Sequence, residues 1–257
     1  MKSFLKCLWK DQHMDNFPSI ADHSLIWIFG IIIPFLSGLQ SEKLSGGMQF
    51  DSSSRRRLYL ANSLMLGIAG SSVLMLWAFK KRKWNSLGFR DIDNKHLTVT
   101  VIVILIFIVA YLVDTMLTNK SIKKQGSTAG WFDTYSFLPQ KKQDLLPYIL
   151  LCACAGFFEE IIYRGFMVSY FMPLHDESVL IPWIAILAPA FLFSLAHYYQ
   201  GWSAVIKIGI FSMLFGIIFI YSKSLYPPMI LHFLVDLFSG LFYMKQIKKV
   251  QSTAIAS

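Results

Sequence analysis

The chain has 257 residues, of which 55% are hydrophobic, 16% aromatic and only 15% charged, with a formal net charge of +9. Soluble domains carry about 25% charged residues, so this composition, with a mean hydropathy of +0.51, excludes an ordinary soluble domain and points to an integral membrane protein. The positive charge does not point to nucleic acid. Its cations stand between apolar runs, as in Arg55-Arg56-Arg57, Lys80-Lys81-Arg82-Lys83 and Lys141-Lys142, where anionic lipid headgroups are the expected partners.

Residues 1–22 are mixed and polar, and read as an interfacial tail. Lys2, Lys6, Lys10, Asp11 and Asp15 interrupt any cleavable signal pattern there. A first apolar run follows from about Ser24 to Leu39, with Gly30 and Pro34 inside it. Membrane helices tolerate both when neighbours satisfy the freed backbone. The second run, about Leu58 to Phe79, ends at the basic cluster 80–83, and Gly67 and Ser71 offer it a small face for close helix packing. A polar connector, 84–96, leads to a third run at about Leu97 to Leu117. Its Val and Ile content suits a strand, but strands usually run 3–10 residues. Asp114 near its end reads as interfacial.

The loop 118–144 is the longest, and divides an N-terminal membrane region, 1–144, from a C-terminal core, 145–244, with a polar tail at 245–257. Four further runs fill the core, at about 145–171, 179–199, 202–222 and 226–244. Short links at Gln200-Gly201 and Ser222-Lys223-Ser224 imply antiparallel neighbours in a bundle. Ser212 and Gly216 form a second small face, and Pro227 and Pro228 suit a helix start. Tyr198, Tyr199, Trp202, Tyr221 and Tyr226 cluster at the ends as an aromatic belt would. The expected fold is an all-α, polytopic transmembrane bundle of about seven to eight spans, with a polar cavity within the C-terminal four helices. Positive charges are spread too evenly to fix its orientation. Cys7, Cys152 and Cys154 read as packing residues, since Cys152 and Cys154 point to different faces of one helix.

Against this background the fourth run is anomalous. Glu159, Glu160 and Arg164 sit within it. Each charge at the centre of a span costs roughly 2.5–3.5 kcal/mol, so three cost on the order of 8–10 kcal/mol before pairing. They must pair, line a wet cavity or do chemistry. Glu160 and Arg164 are four apart and share a helix face. Glu159 lies about 100° round from Glu160 on an α-helix and can face another neighbour. The fifth run holds His197 near its end, and the seventh holds His232 and Asp236, also four apart. Lys207 in the sixth lies near enough to an end to snorkel.

Singly, each feature has a plain reading: a structural ion pair, an interfacial histidine, a packed His–Asp pair. Together they suit a carboxylate base with two imidazoles, for water activation and oxyanion stabilisation. The same Glu159, His197, His232 and Asp236 could instead hold a divalent metal such as zinc, although no His-Glu-x-x-His signature is present. A proton pathway or proton-coupled transporter is a third reading, disfavoured by the lack of paired inverted repeats.

Glu159-Glu160-x-x-x-Arg164, Phe193-x-x-x-His197 and His232-x-x-x-Asp236, in this order, resemble the three motifs of the CAAX prenyl protease and bacteriocin-processing family, also called the Abi family or type II CAAX endopeptidases. The resemblance covers about residues 145–240 and implies a multi-pass intramembrane endopeptidase. It implies that Glu159 with His197 activates water, that His232 and residue 236 stabilise the oxyanion, and that Glu160 and Arg164 organise the site. The family's last position is commonly Asn, and Asp also occurs. Asp236 adds a negative charge there, which shifts its expected role toward orienting His232 or binding metal. Water attack without a metal is the favoured mechanism. The implied partners are the bilayer and a membrane-associated peptide or protein substrate, in a bacterial cell membrane. A catalytically silent immunity or scaffold protein of the same fold is the alternative.

Overall fold

The computed structural model describes residues 17–44, 50–92, 94–124, 136–172 and 181–256. Cys7, the tail before Phe17 and the middle of the 118–144 loop lie outside these. Among the described residues the chain is helical and contains no strand. In order, the helices are α1 (Ile20–Trp27), which runs through a π turn (Ile28–Ile32) into α2 (Ile33–Leu44); α3 (Ser52–Phe79); the short α4 (Trp84–Leu87); and α5 (Leu97–Lys124). Next come α6 (Lys142–Cys154), continued by π segments Ala155–Glu159 and Ile161–Val168 into α7 (Ser169–Phe171); α8 (Ile181–Ala196); α9 (Trp202–Ser222); and α10 (Tyr226–Ala256).

Six stretches are long and apolar enough to cross a bilayer: Ile20–Leu39, Ser52–Phe79, Leu97–Ser121, Lys142–Phe171, Trp202–Ser222 and Tyr226–Lys249. The shorter apolar helix Pro182–Ala196 makes a seventh unit, so all seven hydrophobic runs are helical. The chain is an integral, multi-pass membrane protein. Its surface agrees: Leu64, Ile68, Met75, Leu105, Val109 and Ile206 are exposed, as side chains facing lipid should be.

The main core lies where the π segments meet their neighbours. Ile161, Phe166 and Met167 pack with Val73 and Trp77 of α3, Ala185 of α8 and Phe219 of α9. Packing therefore runs across the N-terminal and C-terminal parts. Two buried ion pairs sit at helix ends, one joining α3 to α6 and one joining α1 to the residues just after α3. Asp144, at the start of α6, accepts from Arg55 Nε at 3.1 Å, from Ser52 Oγ, and from the amides of Gln140 and Lys141 at 3.2 and 3.1 Å. Asp22 receives both Arg82 guanidinium nitrogens at 2.7 and 2.6 Å, with that guanidinium over the rings of Phe17 and Trp77. Arg55 and Arg82 are buried, which corrects their expected role at lipid headgroups. Lys80, Lys81 and Lys83 remain exposed. Lys207 and Asp114 likewise bond to each other at 2.6 Å instead of reaching separately for the interface. Asp51 caps α3 through the amide of Ser54, and hydrogen bonds from Ser54 hold its carboxyl below the usual carboxylate range.

The small faces divide. Gly216 lies against Ile186, as expected for close packing. Gly67 and Ser71 instead line an open apolar groove of about 710 Å³ between α3 and the α6 continuation. The tight approach there is at Gly70, where an added Cβ would lie 2.3 Å from the Phe158 ring.

Candidate active site

Two glycines let α6 and its continuation approach α10. A Cβ at Gly156 would lie 2.9 Å from both the Met229 carbonyl and the Phe233 amide. A Cβ at Gly240 would lie 2.3 Å from the Tyr148 ring, whose hydroxyl donates to the Asp236 carbonyl at 2.7 Å. At Gly156 the backbones therefore touch at a spacing only glycine permits, about one turn from Glu160 and beside His232.

Glu159 ends the first π segment and Glu160 precedes the second. The 100° separation expected for an α-helix does not apply. A π turn closes i→i+5 bonds and holds more residues, so successive side chains diverge less. Both glutamates consequently reach the same imidazole. His232 Nδ1–H donates to Glu160 Oε1 at 2.7 Å, and His232 Nε2 lies 3.6 Å from Glu159 Oε2. That nitrogen is also 3.6 Å from Asp236 Oδ2. Such π insertions are frequent at functional sites.

Glu160 Oε1 also accepts from Arg164 Nη1 at 2.8 Å. The expected Glu160–Arg164 pair is present and buried on both sides. Glu160 Oε2 is buried without a hydrogen-bond partner among the described residues. Arg164 turns its other nitrogen, Nη2, to Ser212 of α9, donating to Oγ at 2.6 Å and to the carbonyl at 3.2 Å. Its guanidinium lies 4.9 Å from the Phe193 ring centre and 5.2 Å from that of Phe215. The same two rings contain His232: Phe215 stacks on it at 5.5 Å, and Phe193 meets it edge-on at 5.9 Å. A two-phenylalanine cage thus holds both the guanidinium and the imidazole.

His197 follows the last residue of α8. Its Nδ1–H donates to the Phe193 carbonyl at 2.8 Å. A carbonyl only accepts, so in the neutral ring Nε2 carries the lone pair. The ring contacts Phe193 at 4.6 Å and stacks on Tyr199 at 6.1 Å. Among the described residues no hydrogen bond or ion pair joins His197 directly to Glu159. Phe193 is the ring that touches both histidines.

The structure therefore gathers Glu159, Glu160, Arg164, His232 and Asp236 through direct polar approaches, and places His197 beside them through Phe193. Ser212, Phe215 and Tyr199 were not singled out as site residues by sequence. Ser212 stood out only as a small residue, and Tyr199 only as part of an aromatic belt. Nothing in the local sequence distinguishes a serine that packs from one that binds a guanidinium. Zinc takes several donors, its nitrogen and oxygen ligands each about 2.0–2.2 Å from the ion. Among the described residues no group of three His, Cys, Asp or Glu side chains is arranged to hold one. The side chains as placed do not fit a metal centre.

No curated protein and no solved structure matches the chain. Residues 141–238 match the family described as type II CAAX prenyl endopeptidase Rce1-like. That segment starts at the Asp144 clamp and ends just beyond Asp236, enclosing all six charged and histidine residues of the site. Through residues 141–238, the part that holds the site, the chain is similar to the type II CAAX prenyl endopeptidases.

Proposed function

We propose that the protein is an intramembrane endopeptidase that hydrolyses a peptide bond of a membrane-associated peptide or protein, with Glu159 as general base. The observation that carries this reading is the dual use of His232. Its Nδ1 is fixed by Glu160, while its Nε2 faces Glu159 and Asp236 at 3.6 Å each. Those two separations exceed a direct hydrogen bond. They are ion-pair distances, and they leave the Nε2 edge of the ring flanked by two carboxylates and free to turn to a substrate oxygen.

In the proposed reaction Glu159 takes a proton from water, assisted by the lone pair of His197 Nε2. The resulting hydroxide attacks the scissile carbonyl carbon, and the carbonyl π electrons pass to oxygen. His232 in its imidazolium form donates its Nε2–H to that oxyanion. The Glu160–Arg164 pair holds the ring through Nδ1, and Asp236 supplies countercharge and orientation. When the C–N bond breaks, the proton on Glu159 goes to the leaving amine. A positioned general base supplies roughly 10²–10⁴-fold, and an oxyanion donor roughly 10²–10³-fold. No step passes through a metal.

Membrane peptides from cells carrying wild-type protein and Glu159→Gln provide the test. An uncut precursor that accumulates only in the variant is the expected result and identifies the substrate. Identical peptide profiles, with the variant inserted at wild-type level, would replace this reading with a silent scaffold or immunity protein.

A further inference from the structure

We propose that Ser212 is a positioning residue, acting on His232 through Arg164 and Glu160. This inference rests on the reading of His232 as part of the reacting centre, and extends that site to a fourth helix, α9, which carries none of the three sequence motifs. The side chains form one relay. Arg164 Nη2 donates to Ser212 Oγ at 2.6 Å and to its carbonyl at 3.2 Å. Arg164 Nη1 donates to Glu160 Oε1 at 2.8 Å, and the same oxygen accepts from His232 Nδ1 at 2.7 Å.

Glu160 Oε1 must serve two donors at once, and Glu160 Oε2 has no partner among the described residues to anchor the carboxylate from its other side. The direction of Oε1 is therefore set by where the guanidinium lies. The guanidinium lies over two rings, Phe193 and Phe215, which permit in-plane sliding. Ser212 is the polar group other than Glu160 itself that holds it in the plane. Phe215, three residues on along α9, stacks on His232, so one helix face holds both ends of the relay. Ser212 is itself buried, and water cannot replace its hydroxyl freely.

The test uses full-length protein in lipid nanodiscs with ¹⁵N-labelled histidine, where His232→Gln assigns the His232 signals. In wild type the His232 Nδ1–H proton is expected as a downfield, slowly exchanging resonance. Ser212→Ala should remove it by exchange, and should lower kcat on the identified substrate roughly tenfold with KM within about twofold, as one charge-assisted hydrogen bond implies. Ser212→Thr, which keeps the hydroxyl, should retain both. If Ser212→Ala does not accumulate as folded protein, Ser212→Cys keeps the volume with a weaker acceptor and is read the same way. An unchanged Nδ1–H resonance in Ser212→Ala overturns the proposal, whatever the activity does. Activity retained in Glu159→Gln overturns the proposed reaction instead, and leaves the resonance to decide the role of Ser212.

Discussion

Glu160 Oε1 and His232 Nδ1 are 2.7 Å apart although 72 positions separate them in the chain. The bond joins a π-helical insertion to the last span, and Arg164 shares its acceptor. Glu160 is thus the junction of the site, while Glu159, one residue earlier, stands free of any direct ion pair shorter than 3.6 Å.

This division separates the two glutamates experimentally. Glu159→Gln is expected to reduce turnover by roughly 10²–10⁴-fold and leave thermal unfolding in detergent nearly unchanged. Glu160→Gln should do both kinds of damage. It leaves Arg164 as a buried charge without a counter-ion, which costs about 3–5 kcal/mol. Paired unfolding and turnover measurements on both variants check this; equal stability loss in the two would contradict the assignment.

Gly156→Ala should push α10 away, because its new Cβ would meet the Met229 carbonyl and the Phe233 amide at 2.9 Å. Overpacking of this kind costs about 1–3 kcal/mol. Turnover should fall as well, since the His232–Glu160 approach depends on that contact. Gly38→Ala is the control. Its Cβ meets nothing within 4 Å, and alanine should gain up to about 1 kcal/mol of helix propensity.

The ion pairs outside the site should differ sharply in weight. Asp144→Asn strands the buried Arg55 and is expected to cost about 3–5 kcal/mol. Lys207→Met breaks an exposed pair with Asp114, which should cost at most about 1 kcal/mol. Denaturation midpoints of the two variants give the comparison.

Chelation addresses the metal. With Glu159 as base, activity should survive extended dialysis against a strong chelator. Activity that disappears and returns with added zinc would show that donors rearrange to bind it, and would move water activation from Glu159 to the ion.

Much of this architecture is legible without coordinates. Seven apolar runs of the right length must become helices, since a spanning chain has to satisfy its backbone internally. The cost of Glu159, Glu160 and Arg164 in such a run marks the segment of the candidate site, and i,i+4 spacing pairs Glu160 with Arg164 and aligns His232 with Asp236. These are local or solvent-imposed constraints, and they are readable because they depend on neighbours in sequence or on the bilayer alone. Tertiary structure decided the rest. The π insertion at Ala155–Glu159 turns both glutamates toward one ring. Burial pairs Arg55 with Asp144 and Arg82 with Asp22, where composition placed those cations at headgroups. Ser212 binds a guanidinium while Gly216 on the same face only packs. Which buried donor meets which acceptor depends on how helices far apart in sequence approach and rotate, and glycine contacts such as Gly156 against Phe233 fix that approach.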